Sequence, residues 1–299
     1  MSNPNFPQNL DIKPLLPSNG DLDGNFDFSH QQEAIRVFGI AGKVWKAAYA
    51  LNTYIQPPAD HEFDPPFFAS PRSPGTVTMI ELGSGTGIVA ATVSPMLREG
   101  DVLFVTDLLE VCPLLEQNLQ RFLDGAVRVR PLSWGNSIHV SQIAEEISKL
   151  PRARLRILCS DLVYFPELLA PLLRSLIQLS SPPFAIASND VEIIISYKVR
   201  SLPKETPFWS AFGLWFEFAP VLVRRTSQDI HSWRRFGASL EDPTFIFVAH
   251  RREESLGWQV PLRDEDLMQG RIAPDQVSPK GDDTFETLLL LSLDDNDEL

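Results

Sequence analysis

One short segment combines an acidic side chain with three glycines at alternate positions, a pattern that suits ligand binding. Glu81 ends a β-branched run, and Gly83, Gly85 and Gly87 follow it ahead of a helical pattern. Glycine adopts positive φ at little steric cost and lets the backbone pass close to a ligand, and the amide groups at the start of a helix point to the same place. The pattern predicts a strand, a ligand-binding loop and a helix, with a plain β-to-α connection as the alternative.

The acidic residue narrows the kind of ligand. A dinucleotide loop has the spacing G-x-G-x-x-G and presents a helix N-terminus to a pyrophosphate, which a neighbouring carboxylate would repel. Here the spacing is G-x-G-x-G behind Glu81, so a neutral or cationic ligand with amino and hydroxyl donors fits better. Asp107 follows 26 residues later, at the expected end of the next strand, where a carboxylate can accept hydrogen bonds from both ribose hydroxyls. A helix N-terminal charge is the alternative for Asp107.

The elements that would position these residues alternate along the chain. Apolar runs predict strands at 76–81, 102–106, 126–130 and 155–159, and helical patterns separate them at 87–98, 112–123 and 139–149. Short strands separated by helices are typical of βαβ units in a parallel sheet with both faces covered. A fifth strand is predicted at 191–196, and the runs 216–223 and 244–250 are expected to pair antiparallel. The ligand is then expected at the carboxyl ends of the first strands, at the topological switch point.

The flanking segments are less regular. We predict a flexible arm over residues 1–30, one α/β domain over residues 31–250, and an extension with an acidic tail over residues 251–299. Prolines predict a long loop over 56–75, and the helix near Leu168 is expected to hold Pro171 in its first turn. The apolar run 285–293 fits either a strand or a helix turn.

Composition limits the partners. The 299-residue chain is 43% hydrophobic and 22% charged, which is ordinary for a globular protein, and its net charge is -13. This balance disfavours nucleic acid and anionic membranes as main partners. A basic macromolecular partner is compatible with it, and a generic solubilising surface is the alternative.

Other residue types predict the compartment. Cys112 and Cys159 lie far apart with no C-x-x-C pattern, and the five histidines lack metal-ligand spacing, so we expect reduced thiols and no metal site. The sequence contains no basic leader with an apolar stretch and no run of about 18 apolar residues. We therefore expect a cytoplasmic or nuclear protein, with a monomer as the simplest state.

Local motifs make the prediction more specific. The run from Glu81 to Gly87 resembles the first motif of S-adenosylmethionine-dependent methyltransferases. Four further pieces are Gly42-Lys43-Val44-Trp45, Thr106-Asp107-Leu108 with Asn118, Leu132-Ser133-Trp134-Gly135, and Ser160-Asp161-Leu162-Val163-Tyr164. Together, over residues 30–250, they resemble the seven-strand protein-lysine methyltransferases of methyltransferase family 16. The resemblance implies an α/β fold, a Rossmann-like seven-stranded methyltransferase sheet that is mostly parallel, has an antiparallel strand at one edge and is flanked by helices.

The same resemblance implies S-adenosylmethionine as the cofactor. The cofactor-binding residues carried over from the family are Trp45, Glu81, Gly83, Gly85, Gly87, Asp107, Trp134 and Ser160. An indole can stack on an adenine or face a sulfonium through cation–π attraction. A buried structural tryptophan is the alternative for Trp45.

Asp161 and Tyr164 match the D-x-x-Y motif of the family, which implies that they meet the substrate amine. A carboxylate and a hydroxyl can orient a nitrogen lone pair toward the methyl group, so that much of the catalysis would be positioning. A lysine amine has a reference pKa of about 10.4 and must lose a proton to attack, yet a nearby carboxylate favours its charged form. Burial and the positive sulfur act in the opposite sense, which leaves the balance open. A helix cap is the alternative role for Asp161.

Three features depart from the family pattern: Phe165-Pro166-Glu167, the aromatic segment 206–216, and the extension beyond residue 250. We expect the aromatic side chains to pack in the core and at its rim rather than as a substrate cage. The leading hypothesis is methyl transfer to a lysine side chain of another protein, with translation factors and chaperones as the implied substrate class. Methylation of a small amine and a non-catalytic cofactor-binding adaptor are the alternatives.

Overall fold

A computed structural model of the chain describes residues 12–16, 24–69, 75–123, 125–226, 233–237, 243–271 and 280–294. Much of the predicted N-terminal arm, at 1–11 and 17–23, and most of the acidic tail, at 295–299, lie outside the described residues. Within the described part of the arm Phe26 is buried. The carbonyl of Leu15 accepts hydrogen bonds from the Gln31 side-chain amide at 2.9 Å and from the Tyr49 hydroxyl at 2.8 Å, so this part packs against the helices that follow it.

Strands and helices alternate through most of the chain. The strands are β1 (His61–Asp64), β2 (Val77–Leu82), β3 (Val102–Asp107), β4 (Val127–Pro131), β5 (Arg154–Ser160), β6 (Val191–Lys198), β7 (Phe216–Pro220), β8 (Leu222–Arg225), β9 (Arg234–Arg235) and β10 (Thr244–Arg251). The α-helices are α1 (Phe28–Phe38), α2 (Lys46–Ile55), α3 (Ile88–Val93), α4 (Cys112–Asn118), α5 (Ser137–Ser148), α6 (Pro166–Leu179), α7 (Leu202–Trp215), α8 (Asp264–Met268) and α9 (Thr284–Asp294). None of the helices in the described ranges has the length and apolar character needed to cross a membrane.

Seven strands form one sheet in the order β4-β3-β2-β5-β6-β10-β7, and β1, β8 and β9 form a smaller sheet. The first five strands of the large sheet are parallel, and β10 runs antiparallel to both β6 and β7. This arrangement confirms the predicted seven-stranded Rossmann-like sheet. The winding direction reverses between β2 and β5, so the switch point lies at the carboxyl ends of these two strands.

Helices cover both faces of the large sheet. Alternate residues of each central strand point to opposite faces: Met79 packs with α2, α3 and α4, whereas Ile80 packs with α5, α6 and α7. All six residues of β3 are buried, as expected for a parallel strand that is covered on both sides. The buried sheet therefore leaves its strand ends as the surface on which a ligand site can form.

Helix α6 starts earlier than predicted. It begins at Pro166, in the first helical position, after an extended Phe165, because proline has the φ angle that the first turn requires. Pro171 consequently lies inside the helix rather than in its first turn. Since proline has no amide hydrogen, the Glu167 carbonyl lacks the intrahelical donor that another residue would supply.

The strand predicted over 216–223 is two strands in different sheets. Pro220 ends β7 because it cannot donate to the sheet, and the Val221 amide makes a last hydrogen bond to the Ile246 carbonyl at 2.7 Å. The chain then enters β8, which pairs antiparallel with β1. The prediction that 56–75 is wholly loop is therefore wrong for His61–Asp64.

The aromatic segment forms core, as predicted. Phe208, Trp209, Phe212 and Trp215 of α7 are fully buried. The run 285–293, which fitted either a strand or a helix turn, belongs to the helix α9. Phe285 stacks on Trp209 with ring centroids 5.1 Å apart, so the described end of the chain contributes to the same core.

Removal of the Phe285 side chain should destabilise the whole domain. We expect Phe285→Ala to lower the free energy of unfolding by about 3–5 kcal/mol, because it empties a buried aromatic site. Leu290→Ala on the same helix is the control: Leu290 is 64% exposed, so a loss within about 0.5 kcal/mol is expected. Urea unfolding measures both, and equal small losses would show that α9 is not part of the core.

Candidate functional site

The loop between β2 and α3 is built by its glycines. Gly83, Gly85 and Gly87 all have positive φ, at 56°, 54° and 81°, where side chains other than glycine are strained. A Cβ at Gly83 would lie 2.9 Å from both Trp134 Cζ2 and Leu162 Cδ2. The glycines therefore let the loop follow this path and leave room for the surrounding side chains.

Asp107, at the end of β3, anchors the loop. Its Oδ2 accepts a hydrogen bond from the Gly85 amide at 2.8 Å, and its Oδ1 accepts one from the Leu108 amide at 2.7 Å. Burial raises the pKa of Asp107 to about 6, although these two hydrogen bonds act in the opposite sense. A carboxylate has about four acceptor positions, so about two remain for donors of a ligand.

The Glu81 side chain lies in the protein interior, near the end of β2. It is buried, and neither carboxyl oxygen has a hydrogen-bond partner among the described residues. Burial raises the pKa of Glu81 to about 8, with the nearby Ser84 acting in the opposite sense. The carboxyl group is therefore neutral at pH 7 in the protein alone, because an isolated buried charge is costly.

Trp134 and Ser160 approach the loop from the next strand ends. The hydrogen bonds that hold the connection after β4 include one from the Leu132 amide to the Asp107 carbonyl at 2.7 Å and one from the Gly135 amide to the Ser175 hydroxyl at 2.7 Å. Trp134 is thereby placed against Gly83. Ser160 is the last residue of β5.

Trp45 is held next to two cations. Its indole Nε1–H donates to the Ile40 carbonyl at 3.1 Å. The Lys43 ammonium lies 4.7 Å from the centroid of the indole ring, and the Arg200 guanidinium carbon lies 5.5 Å from it. Trp45 is only partly buried, and its ring packs against basic side chains.

Asp161 and Tyr164 lie beyond the end of β5. Asp161 is the one non-glycine residue with positive φ in the described ranges, at 64°, and its side chain has no exposed surface. Both carboxylate oxygens bind the Arg200 guanidinium, with Nη1 at 2.7 Å from Oδ1 and Nη2 bound to Oδ2. Burial and the neighbouring Asp107 and Asp161 raise the pKa of Tyr164, so its phenol stays protonated at neutral pH.

A single cavity of about 620 Å³ joins most of the predicted residues. The predicted residues in its wall are Trp45, Gly83, Gly85, Asp107, Trp134, Ser160, Asp161 and Tyr164. Glu81 and Gly87 are not among the described residues that line it. The cavity therefore connects the loop and Asp107 with Asp161 and Tyr164.

Sequence reasoning missed four charged residues in the wall of this cavity: Lys43, Arg200, Lys204 and Glu205. Lys43 belongs to the motif Gly42-Lys43-Val44-Trp45, in which only Trp45 had been assigned a role. Arg200 follows β6 by two residues, and the rule that ligand sites form at the carboxyl ends of parallel strands would have identified it. Lys204 and Glu205 lie in the first turn of α7, where an aromatic pattern drew attention to packing.

The sequence profile of the lysine methyltransferase family, methyltransferase family 16, matches residues 27–212. The chain belongs to this family, since the match covers more than half of it. The resemblance inferred from the motifs is confirmed.

A curated relative is the protein-lysine N-methyltransferase EFM6 of Saccharomyces cerevisiae, which is 30% identical over 173 residues, or 54% of this chain and 65% of the relative. The match spans just under two thirds of the length of that relative. Two solved structures are a precorrin-6y C5,15-methyltransferase of Geobacter metallireducens (17% identity, 60% of this chain and 83% of that chain, TM-score 0.32) and an S-adenosylmethionine-dependent methyltransferase of Anabaena variabilis (10% identity, 62% and 79%, TM-score 0.38).

The close contacts of Gly83 lead to a stability prediction. Gly83→Ala should lower the free energy of unfolding by about 1–3 kcal/mol more than Gly125→Ala, because the new methyl group overpacks against Trp134 and Leu162. Gly125 also has positive φ, at 103°, but no described atom lies within 4 Å of an added Cβ. Denaturant unfolding compares the two, and equal losses would show that backbone strain alone is responsible.

Proposed function

We propose that this protein is an S-adenosylmethionine-dependent methyltransferase that methylates a lysine side chain of another protein. The observation that carries the proposal is one cavity in which the loop and Asp107 adjoin Asp161 and Tyr164. A methyl donor and an amine acceptor must meet in a common space, and this cavity provides one. Membership of the lysine methyltransferase family supports the same activity.

Features of the loop support the fit of the cofactor. S-adenosylmethionine carries an amino-acid moiety, a ribose with two hydroxyls, an adenine and a positively charged sulfur. The glycine loop provides space that a Cβ would fill at Gly83, Asp107 has acceptor positions for the ribose hydroxyls, and Trp134 offers an aromatic face for the adenine. Glu81 is a buried carboxyl without a hydrogen-bond partner among the described residues, and a cationic group bound nearby would favour its charged form.

We assign cofactor binding to Trp45, Glu81, Gly83, Gly85, Gly87, Asp107, Trp134 and Ser160. When bound, S-adenosylmethionine supplies an electrophilic methyl group. Glu81 and Gly87 are not among the described residues of the cavity wall, so their part in cofactor binding would be to support the glycine loop from the end of β2 and from the start of α3. Trp45 and Ser160 line the cavity itself and would border the cofactor.

Asp161 and Tyr164 are proposed to position the acceptor amine. The Tyr164 hydroxyl can accept a hydrogen bond from a neutral amine, which turns the nitrogen lone pair toward the methyl group. Asp161 holds the neighbouring Arg200. These residues would thus contribute chiefly orientation, which is worth many orders of magnitude in rate when the reacting atoms are aligned.

A protein is the favoured acceptor because the curated relative is a protein-lysine N-methyltransferase. The family resemblance implies translation factors or chaperones as substrates. We propose that the protein acts on them as a monomer in the cytoplasm and that residues 31–250 form its methyltransferase domain. Both cysteines are free and buried, in agreement with a reducing compartment.

Transfer of labelled methyl groups tests the function. The protein is incubated with labelled S-adenosylmethionine and a lysate from cells that lack it, and labelled bands are examined by mass spectrometry. Label on a lysine is the expected result. Turnover of small amines without label in any protein would favour the first alternative. Calorimetry that detects no binding of S-adenosylmethionine or its demethylated product would refute the proposal.

Cofactor affinity should weaken in acid because of Asp107. Its pKa of about 6 means that the carboxylate, which accepts from the ribose, is protonated below that pH. The dissociation constant for the demethylated cofactor should then rise about tenfold between pH 7.5 and pH 5. The Asp107→Asn variant should bind the demethylated cofactor weakly, and its dissociation constant should not rise further in acid. The Glu81→Gln variant, in which the neighbouring carboxyl can no longer titrate, should still show this rise in acid, which we call the acid limb. Calorimetry across pH measures all three, and an acid limb in Asp107→Asn would contradict the assignment.

Tyr164→Phe should separate catalysis from cofactor binding. Loss of the hydroxyl misplaces the amine, so we expect a fall of about 10–100-fold in kcat with the dissociation constant of the demethylated cofactor changed by less than about twofold. Tyr49→Phe is the control, because the Tyr49 hydroxyl bonds Leu15 outside the cavity wall. Radiometric assay and calorimetry distinguish the outcomes. Unchanged turnover would favour a non-catalytic adaptor or another acceptor site.

A further inference from the structure

The Asp161 carboxylate in the cavity wall is covered by the Arg200 guanidinium. The Asp161 side chain has no exposed surface, whereas 30% of the Arg200 side chain is exposed. The two groups meet as a fork-to-fork pair through both guanidinium nitrogens and both carboxylate oxygens, the strongest geometry for such a pair. An amine entering here meets a neutralised carboxylate rather than a free one.

Several contacts hold Arg200 in this position. The Asp161 amide donates to the Ser196 carbonyl at 2.8 Å, which fixes the ends of β5 and β6 side by side. The Arg200 guanidinium also donates to the Lys198 carbonyl at 3.1 Å and lies over the Trp45 ring. The Glu205 carboxylate accepts a hydrogen bond from the Arg200 amide at 3.1 Å. The Arg200 residue is exposed at the surface, and these contacts on several sides hold its guanidinium over Asp161.

Charges from other elements surround the pair. Lys43 before α2 and Lys198 on β6 both have lowered pKa values, caused first by burial and then by nearby cations that include Arg200. Lys46 on α2 and Lys204 on α7 add two further cations.

Carboxylates face the same region from three sides. Asp107 at the end of β3 and Glu167 on α6 act on Tyr164, and Glu205 on α7 accepts hydrogen bonds from the backbone and from the Tyr197 hydroxyl. Tyr197 itself is buried with a raised pKa. Asp161 is the acidic residue of the D-x-x-Y motif that contains Tyr164, so its pairing with Arg200 bears on an amine bound there.

This geometry addresses a difficulty of amine methylation. A lysine nitrogen attacks only after the ammonium has lost a proton, and an unpaired carboxylate beside it would stabilise the ammonium. We propose that Arg200 is a positioning residue for methyl transfer, whose pairing with Asp161 removes this stabilisation and so favours the neutral form of the acceptor amine. The ammonium would lose its proton to bulk water, and the nitrogen lone pair would form the new bond to the methyl carbon while the carbon–sulfur bond of the bound donor breaks and its electron pair stays on the sulfur. The proposal rests on the proposed function.

The pH dependence of methyl transfer tests this role. In Arg200→Gln the unpaired Asp161 should raise the pKa of the bound amine by about one unit, which lowers the rate about tenfold at pH 7.5. The deficit should narrow as the pH is raised toward 10. Arg200→Lys keeps the positive charge but cannot form the two-nitrogen pair with Asp161, so the pKa of the bound amine should rise less than in Arg200→Gln. The probe is the lysate protein that the wild type labels, and calorimetry with the demethylated cofactor should show unchanged affinity.

A second substitution separates charge from structure. Asp161→Asn combined with Arg200→Gln should restore the wild-type pH dependence of the rate, because no unpaired carboxylate remains, while the loss of Asp161 lowers the rate at every pH. Asparagine tolerates the left-handed backbone of residue 161. A deficit in Arg200→Gln that is equal at every pH and is not relieved by Asp161→Asn would overturn the proposal and indicate a structural role.

A thiol reporter gives a readout that does not depend on turnover. Ser201 lines the cavity next to Arg200, and both native cysteines are buried, so Ser201→Cys provides the accessible thiol for alkylation. The pKa of this thiol is obtained from the dependence of the alkylation rate on pH. It should rise by about one unit in Arg200→Gln and return toward its initial value when Asp161→Asn is added. No change would overturn the proposal. Absence of methyl transfer by the wild type would instead refute the proposed function, while the thiol still reports on Arg200.

Discussion

The site depends on hydrogen bonds between two neighbouring strand ends, among them one from the Ser84 amide to the Thr106 carbonyl at 3.0 Å. The Gly85 amide donates to Asp107 Oδ2 at 2.8 Å, and this contact ties the loop after β2 to the end of β3. The loop can meet the carboxylate because its glycines take positive φ, which other residues adopt only at a cost. Trp134 then packs against the loop. Gly85, Asp107 and Trp134 all contribute to the wall of the cavity.

Three of the buried carboxyl groups in this region are accommodated in three different ways. Glu81 has no partner in the described structure, and burial raises its pKa to about 8, so it is neutral. Asp107 is held by two backbone amides, and Asp161 is paired with Arg200. A buried charge is tolerated when it is neutralised, hydrogen-bonded or paired. In the cavity wall the Asp107 carboxylate therefore keeps acceptor positions for a ligand, whereas both oxygens of the Asp161 carboxylate are occupied by Arg200.

Much of the fold could be predicted because its signals are local. Apolar runs separated by helical patterns identify βαβ units without knowledge of the final contacts, and the seven-stranded sheet is confirmed. The predicted ends of helices and strands were less accurate next to prolines, because a proline can begin, end or interrupt an element. Pro166 starts α6, so Pro171 lies inside that helix, and Pro220 ends β7 where a continuous strand was expected. Whether a proline begins, ends or interrupts an element depends on partners distant in sequence.

The sequence by itself determined the glycine loop, the acidic residues at the strand ends and the family, because residue type and spacing along the chain carry these features. Only the tertiary structure decided the state of those acidic residues. Asp161 and Arg200 are 39 residues apart, and they meet because β5 and β6 end side by side. The neutral state of Glu81 likewise results from its removal from water by the surrounding fold. Burial and pairing arise from distant segments, and no local pattern records them.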